Sequence, residues 1–362
     1  MNTNPSKFLT IVLVLLLSSI ASAAKPAESW NHTIPDRVNV IAMLNDTVYV
    51  CSEDGLIYAY GKNGRMLWSY QTGGAVKALH ASEYGILAGS VDGFLYLLDN
   101  NGILVWMKRV PSYIGYKDAV DSSNETVVAG SIDGSVYTFD ANGVFQWHFK
   151  TDSYVLSTRI VDGKIIVVSD KKIYFLNDSG ESVYNYDTGS YITSEYISER
   201  NIALNVEGDK LFLFDINGNL LWNHTERDFF GSISMTNDSI TVGSRNGTLY
   251  QFNTNGTLMW TQDLEKSVVA VYSNEKYVAV GTLSQLLYLF DKNGKPMEIY
   301  SMEKYPTAII GNDKALVAGT AGGEIVNIAF TEKDSLISAF AMTLMILVIL
   351  SALFLLIRSW NY

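Results

Sequence analysis

Short apolar or alternating runs, separated by tight-turn signals, recur along most of the chain. One example is GSIDGSVYTFDANGVFQW at 130–147, with shorter echoes at 90–106, 208–222 and 245–260. Their β-branched and aromatic residues favour strands. Asp133-Gly134 is a two-residue hairpin signal, because glycine accepts the positive φ that such turns need. Asp140 and Gly143 predict a second hairpin. The pattern therefore predicts repeated antiparallel strands.

The glycine of the second turn recurs with a nearly fixed period. Successive spacings are 38, 41, 37, 38, 38 and 38 residues. A fixed period indicates a repeat architecture, and four strands per period are typical of a propeller blade. The third strands, such as FLYLL and KLFLF, are almost wholly apolar, as expected for strands packed between two sheets. The glycines are Gly64, Gly102, Gly143, Gly180, Gly218, Gly256 and Gly294.

Strand counts give eight blades and predict how the ring closes. Eight third strands lie near Tyr58, Tyr96, Tyr137, Tyr174, Phe212, Tyr250, Tyr288 and Val326. Eight outer-strand positions are shifted by one blade: Trp30, Trp68, Trp106, Trp147, Tyr184, Trp222, Trp260 and Glu298. We predict an all-β, eight-bladed propeller of four-stranded blades at 24–332. Residues 27–33 are expected to add the outer strand to the blade formed by 304–330, which leaves no unpaired terminal edge.

The turn and tryptophan together resemble a known repeat. Phe139-Asp140-Ala141-Asn142-Gly143, followed by Trp147, is similar to the tryptophan-docking pattern of the pyrroloquinoline-quinone-type repeat family. The loop before the glycine is often one residue longer in that family. The resemblance covers about 27–330 and implies that the aromatic residue packs between adjacent blades. It implies this role for Trp30, Trp68, Trp106, Trp147, Trp222 and Trp260, and in part for Tyr184. Glu298 cannot take the role, so a weaker or rearranged interface is expected beside it.

Both ends of the chain are apolar. Lys7 precedes FLTIVLVLLLSSIASAA, which predicts a signal peptide at 1–23 cleaved after Ala23; an uncleaved anchor is the alternative. The 22 residues at 336–357 carry no charge and predict one transmembrane helix, followed by a cytoplasmic tail at 358–362. The sequence thus predicts a single-pass cell-membrane protein with its propeller on the extracellular side.

Composition excludes several functions. The formal charge is −11 without a basic cluster, so a nucleic-acid partner is not expected. The single cysteine, Cys51, allows no intramolecular disulfide and is expected to be a buried thiol. The four histidines show no converging pattern, and no motif indicates a catalytic residue, a metal or a cofactor. The histidines are His32, His80, His148 and His224.

Two sets of residues are candidates for surface chemistry. Aromatic residues recur where innermost strands should begin, which predicts an aromatic ring at one channel mouth; simple packing between blades is the alternative. The members of this ring are Tyr113, Tyr116, Tyr154, Tyr191, Phe229 and Tyr305. Eight Asn-X-Ser/Thr sequons predict N-glycosylation at Asn31, Asn45, Asn124, Asn177, Asn223, Asn237, Asn246 and Asn255.

These patterns favour a non-enzymatic binding or scaffold module for proteins or glycans, tethered to the membrane. The resemblance extends to the propeller of the bacterial outer-membrane assembly machinery, although this chain has no lipobox cysteine. An archaeal surface protein fits the predicted leader, sequons and span. One alternative is a quinone-dependent oxidoreductase, although the family's dehydrogenases usually carry adjacent cysteines, which one cysteine cannot provide. The other is a sensor ectodomain working with a membrane partner.

Overall fold

The computed structural model describes residues 26–225 and 231–330. The predicted signal peptide, membrane span and tail lie outside the described residues, as does Phe229. Within the described ranges, no helix is long and apolar enough to cross a membrane. Ser29–Asn327 forms one compact unit.

The described residues form 32 strands. The first, β1, spans Pro26–Thr33. Seven sets of four follow in chain order. They are β2–β5 (Val38–Leu44, Thr47–Ser52, Leu56–Tyr60, Met66–Gln71), β6–β9 (Val76–Ser82, Gly85–Ser90, Phe94–Leu98, Leu104–Arg109), β10–β13 (Val120–Ser122, Thr126–Gly130, Ser135–Asp140, Phe145–Lys150), β14–β17 (Val155–Val161, Lys164–Ser169, Lys172–Leu176, Ser182–Asp187), β18–β21 (Ile192–Ile197, Asn201–Val206, Lys210–Asp215, Leu220–Thr225), β22–β25 (Ile233–Met235, Ser239–Gly243, Thr248–Asn253, Leu258–Asp263) and β26–β29 (Val268–Ser273, Tyr277–Thr282, Leu286–Asp291, Pro296–Ser301). The last three are β30–β32 (Pro306–Gly311, Ala315–Thr320, Glu324–Phe330).

Each set of four is one sheet whose strands are hydrogen-bonded in chain order, and these sheets are blades 1 to 7. Blade 8 has the order β1-β32-β31-β30, so the first strand of the chain lies at its outer edge. The prediction of eight four-stranded blades is confirmed, and the N-terminal strand completes the last blade. This arrangement leaves neither end strand unpaired.

Each blade has two ends, which carry different connections. One end carries the hairpins between second and third strands and the connections from an outer strand to the next inner strand; we call it the mouth face. The opposite end carries the hairpins between first and second and between third and fourth strands; we call it the far face. This division follows from the antiparallel order of every blade.

On the mouth face, three hairpins share an aspartate that organises the turn. The Oδ1 atoms of Asp54, Asp92 and Asp133 accept hydrogen bonds from the backbone nitrogen two residues on, at 2.8, 2.9 and 2.7 Å. Their Oδ2 atoms accept from the hydroxyl of the tyrosine four residues on, at 2.6, 2.6 and 2.8 Å. Because both oxygens are used inside the hairpin, these carboxylates are structural.

The hydrophobic core lies between neighbouring blades. Ile57 of blade 1 and Leu98 of blade 2, both fully buried, belong to one cluster. Phe175 of blade 4 and Phe214 of blade 5 belong to another. Burial on both faces explains why third strands lack the polar alternation of half-exposed strands.

Candidate functional site

Each outer-strand tryptophan lies against a turn of the next blade. The ring of Trp68, for example, covers Gly102, where an added Cβ would lie 2.5 Å from Trp68 Cδ2. Its Nε1 donates to the carbonyl of Asn100 at 3.0 Å. Trp30, Trp106, Trp147, Trp222 and Trp260 make the equivalent bond to Lys62, Ala141, Asp178, Thr254 and Lys292, at 2.8 to 3.1 Å. Glycine at the turn leaves room for the indole and accommodates a positive φ.

Two outer-strand positions depart from this arrangement. Tyr184 lies against Gly218 and Phe175, with a centroid distance of 5.8 Å to the phenylalanine ring. Glu298 lies in β29 of blade 7, facing blade 8. Blade 8 has no hairpin between its third and outer strands, because β32 and β1 come from opposite parts of the chain. The receiving turn is therefore missing, which accounts for the absence of a tryptophan at position 298.

The innermost strands of all eight blades line a central channel of about 450 Å³. Blades 2 to 5 give it one charged wall, and blades 6, 7, 8 and 1 give it a wall without charged residues among those described. The charged wall contains His80, Lys117, Asp118, Arg159 and Glu195. The opposite wall contains Ile233, Val269, Val271 and Ile309, with a few hydroxyl and amide groups. The channel is thus amphipathic from side to side.

A three-residue insertion in blade 3 brings Lys117 and Asp118 into the channel. The segment KRVPSYIGYK, 108–117, precedes β10 and accounts for the single 41-residue spacing. Ile114 is fully buried. The carbonyl of Tyr113 accepts from Ile132 N at 3.1 Å and from Ser131 Oγ at 3.2 Å.

The far end of this segment is fixed on blade 4. The carbonyl of Asp118 accepts a hydrogen bond from Thr158 N at 2.9 Å. The backbone of Asp118 also forms an isolated parallel bridge with Ser157. The insertion is therefore held at both ends and fixes where Lys117 and Asp118 enter the channel.

Four of the six predicted mouth aromatics come together at this insertion, which itself contains Tyr113 and Tyr116. Tyr116 and Tyr154 stack with ring centroids 5.5 Å apart and planes at 21°. Tyr113 and Tyr191 expose 39% and 47% of their surface. Lys171 Nζ lies 4.1 Å from the centroid of the Tyr191 ring, a cation–π contact. The cluster offers two exposed rings beside a half-buried stack.

The other two predicted mouth aromatics are Tyr305 and Phe229. Tyr305 is half-buried just before β30, where its carbonyl accepts from Ala321 N at 3.1 Å. Phe229 lies outside the described residues.

The electrostatics of the charged wall rest on two ion-paired carboxylates and a third carboxyl. Asp121 is buried, with Oδ1 3.0 Å from His80 Nδ1 and 3.6 Å from Arg159 Nη1. Lys117 Nζ lies 3.5 Å from Asp118 Oδ2, and that carboxylate raises the pKa of Lys117. Burial, together with Asp118 and against Lys117, raises the pKa of Glu195 to about 7. A carboxyl that titrates near neutrality inside a channel is a common mark of a binding site.

Sequence reasoning did not single out the channel residues. The length of the insertion was the one signal that pointed to Lys117 and Asp118. Glu195 and Arg159 have no sequence signal, because an inner strand carries polar residues for several structural reasons. His80 lies on an inner strand, whereas His32, His148 and His224 lie on outer strands. In the described part of the chain, no group of three or more His, Cys, Asp or Glu residues has metal-binding geometry.

The structure also locates Cys51 and the sequons. Cys51 is fully buried in β3, and burial raises the pKa of its thiol. Asn177 is half-buried, and its Oδ1 accepts from Glu181 N at 2.8 Å. The other seven asparagines are exposed. Five sequons lie in far-face turns, at Asn45, Asn124, Asn177, Asn237 and Asn255; Asn31 and Asn223 lie on outer strands, and Asn246 lies on the mouth face.

Comparison with known sequences gives two partial family matches. Residues 114–213 match the lambda-carrageenase β-propeller domain. Residues 207–332 match the family of the outer membrane protein assembly factor BamB. Each match covers well under half of the chain. A search of curated proteins found no significant match.

Solved structures share the fold across most of the chain. BamB from Moraxella catarrhalis has a TM-score of 0.73 at 18% identity, covering 85% of this chain and 99% of its own. The computationally designed protein Ika8 has a TM-score of 0.72 at 18% identity, covering 83% and 98%. Sqt1 from Saccharomyces cerevisiae has a TM-score of 0.71 at 12% identity, covering 84% and 99%. Such distant likeness establishes the propeller and leaves the function to be argued from the site.

Proposed function

We propose that the protein is a non-catalytic propeller that binds a protein partner at the mouth of its central channel. The observation that carries this proposal is the cluster of Tyr113, Tyr116, Tyr154 and Tyr191 beside the anchored insertion. Exposed tyrosine rings give large contact areas at low entropic cost and are enriched at protein interfaces. The insertion is the largest departure from the repeat, and departures from a repeat are where its specific contacts are expected.

The family match to BamB supports a scaffold role in preference to an enzymatic one. That family is described as an outer membrane protein assembly factor, and the match runs from the last two strands of blade 5 through β32. The structure of BamB from Moraxella catarrhalis has the same propeller fold as this chain. Assembly of outer-membrane proteins is not part of the proposal, because the likeness is distant.

We also propose that residues 336–357 hold the propeller at the outer surface of a cell membrane, with the tail 358–362 inside. The support is the uncharged length of the segment and the signal-like pattern at 1–23. The exposed sequons fit an exported domain, and five of the eight lie on the far face. Glycans there would leave the mouth face open to a partner.

A glycan ligand is the second candidate. The match to the lambda-carrageenase β-propeller domain covers 114–213, which includes Tyr116, Tyr154 and Tyr191. Tyrosine rings with polar edges also stack against sugar faces. A protein partner is favoured because the mouth continues into a channel with a charged wall.

Capture from native membranes tests the proposal. Full-length protein and a variant carrying Tyr113→Ala and Tyr191→Ala would be chemically cross-linked, purified and analysed by mass spectrometry. The control is Tyr84→Ala, because Tyr84 is 52% exposed in a far-face turn. We expect one partner to be captured by the native chain and the control and lost from the double variant. Equal capture by all three forms would contradict binding at the mouth, and release of the captured species by a glycosidase would favour the glycan.

A further inference from the structure

Glu195 is the one channel carboxyl in the described residues without an ion-pair partner. Lys117 is paired with Asp118, and Arg159 and His80 are both placed against Asp121. Glu195 lies on β18, half-buried, and lines the same cavity. The cations of the wall are therefore already matched by carboxylates, and Glu195 is left over.

The wall opposite is apolar enough to receive an aliphatic chain. This wall includes Ile233 of blade 6, Val269 and Val271 of blade 7, and Ile309 of blade 8. A cationic group on a short aliphatic stem would meet a carboxylate on one side and apolar surface on the other. An anion would instead face Glu195 and Asp118, with Lys117 and Arg159 already paired.

We propose that the channel binds a primary ammonium or guanidinium group, held by the carboxylate of Glu195. Resting on the proposed function, its source is a basic side chain of the protein partner, which enters past the mouth tyrosines. Tyr113 and Tyr191 would contact the partner's flanking residues, and Glu195 would select for the charge. A free amine is the other source of the same chemistry.

Binding of this kind depends on pH. Glu195 must be ionised to hold a cation, and its pKa of about 7 leaves it mostly protonated at pH 6. The described groups that act on it or on its neighbours are Tyr116, Lys117 and Asp118 from blade 3, Arg159 from blade 4, Tyr196 from its own strand, Tyr272 from blade 7 and His80 from blade 2. Burial lowers the pKa of His80 below its usual 6.5. Affinity for a cation should therefore rise about tenfold between pH 6 and pH 8, following the ionised fraction of Glu195.

Titration calorimetry on purified full-length protein tests the inference without a known partner. The probes are agmatine, which carries a guanidinium and an amine, the tripeptide Gly-Arg-Gly, and butyrate as an anion. We expect agmatine to bind, with a roughly tenfold gain in affinity from pH 6 to pH 8. Glu195→Gln should weaken binding at pH 8 about tenfold and abolish the pH dependence. Glu199→Gln, in an exposed turn of the same blade, is the matched control and should behave as the native chain.

The outcomes separate this inference from the proposed function. No agmatine binding at pH 8, equal binding by Glu195→Gln, or preferred binding of butyrate would each overturn the inference. The pH dependence of the native chain decides the matter if the Gln variant fails to fold. Binding of the tripeptide assigns the site to a peptide, whereas binding of agmatine alone assigns it to a free amine. If Glu195→Gln still captures the partner and agmatine does not bind the native chain, the inference is overturned and the proposed function is not.

Discussion

The indole Nε1 of Trp30 donates a hydrogen bond to the carbonyl of Lys62, 3.0 Å away. Trp30 lies on β1, the outer strand of blade 8, and Lys62 lies in a turn of blade 1. In the same seam, His32 stacks on Tyr60 with centroids 4.9 Å apart. The contact fastens the strand that completes the last blade to the first blade, so the ring is joined here by side chains as well as by backbone pairing.

Removing the contact between Trp30 and blade 1 should destabilise the propeller strongly. Trp30→Ala takes away a nearly buried indole, so the free energy of unfolding should fall by about 3–5 kcal/mol. Trp30→Phe keeps most of the ring and loses the N–H donor, so its cost should be nearer 1–3 kcal/mol. Urea unfolding followed by circular dichroism measures both. A loss below about 0.5 kcal/mol in the alanine variant would show that β1 is not needed to close the ring.

The turn glycines under the tryptophans should tolerate no side chain. Gly102 has φ +80°, and an added Cβ would lie 2.5 Å from Trp68. Gly163 has φ +73° with nothing within 4 Å of an added Cβ, which makes it a matched control. Gly163→Ala should cost about 1–2 kcal/mol for the left-handed backbone alone. Gly102→Ala should cost at least about 1 kcal/mol more, because the indole must move. Equal losses in thermal unfolding would contradict the docking geometry.

Restoring an indole should help only where a receiving turn exists. Tyr184 already lies against Gly218, so Tyr184→Trp adds an N–H donor at the position used by the other tryptophans. We expect a gain of about 0.5–1.5 kcal/mol in unfolding free energy. Glu298→Trp faces blade 8, which has no such hairpin, and should give no gain. A larger gain at position 298 than at position 184 would refute this explanation of the exception.

Glu195 should make the stability of the native chain pH-dependent. Its pKa is raised from 4.5 to about 7 in the folded state, so its contribution is fully present below pH 4.5 and is lost as the pH rises through 7. Glu195→Gln removes this loss. At pH 8 the variant should be more stable than the native chain by about 1–2 kcal/mol after allowance for water in the channel. Thermal unfolding at pH 4.5 and 8 checks the sign, and identical profiles would contradict it.

The repeat made the fold predictable because each blade carries the same physical signals. Turn glycines with positive φ and third strands buried on both faces recur in phase, so the number of blades can be counted. Trp30 marks an outer strand that comes before the first complete blade, and Val326 marks a third strand with no outer strand after it. Together they predict how the ring closes. Glu298 was expected to mark a weak interface, and the physical reason for the exception appears only in the order of the strands in blade 8.

The channel was far less predictable. The repeat period placed Tyr116 and Tyr154 at equivalent positions of neighbouring blades. It did not show which inner-strand residues line the channel, and the insertion in blade 3 shifts the period there. The pKa of Glu195 is raised by burial and by Asp118 and is lowered by Lys117, and both residues are nearly 80 positions away in sequence. Such a charge balance depends on three-dimensional proximity, which a local pattern does not encode.

Site-specific photo-cross-linking tests the central claim most directly. A photoreactive phenylalanine would replace Tyr191 on the mouth face or Tyr84 on the far face, two tyrosines of similar exposure, in otherwise native full-length protein. After irradiation of intact membranes, we predict one discrete protein adduct from position 191 and none from position 84. An adduct only from position 84, or no protein adduct from position 191, would contradict the claim that the channel mouth is where this propeller binds its partner.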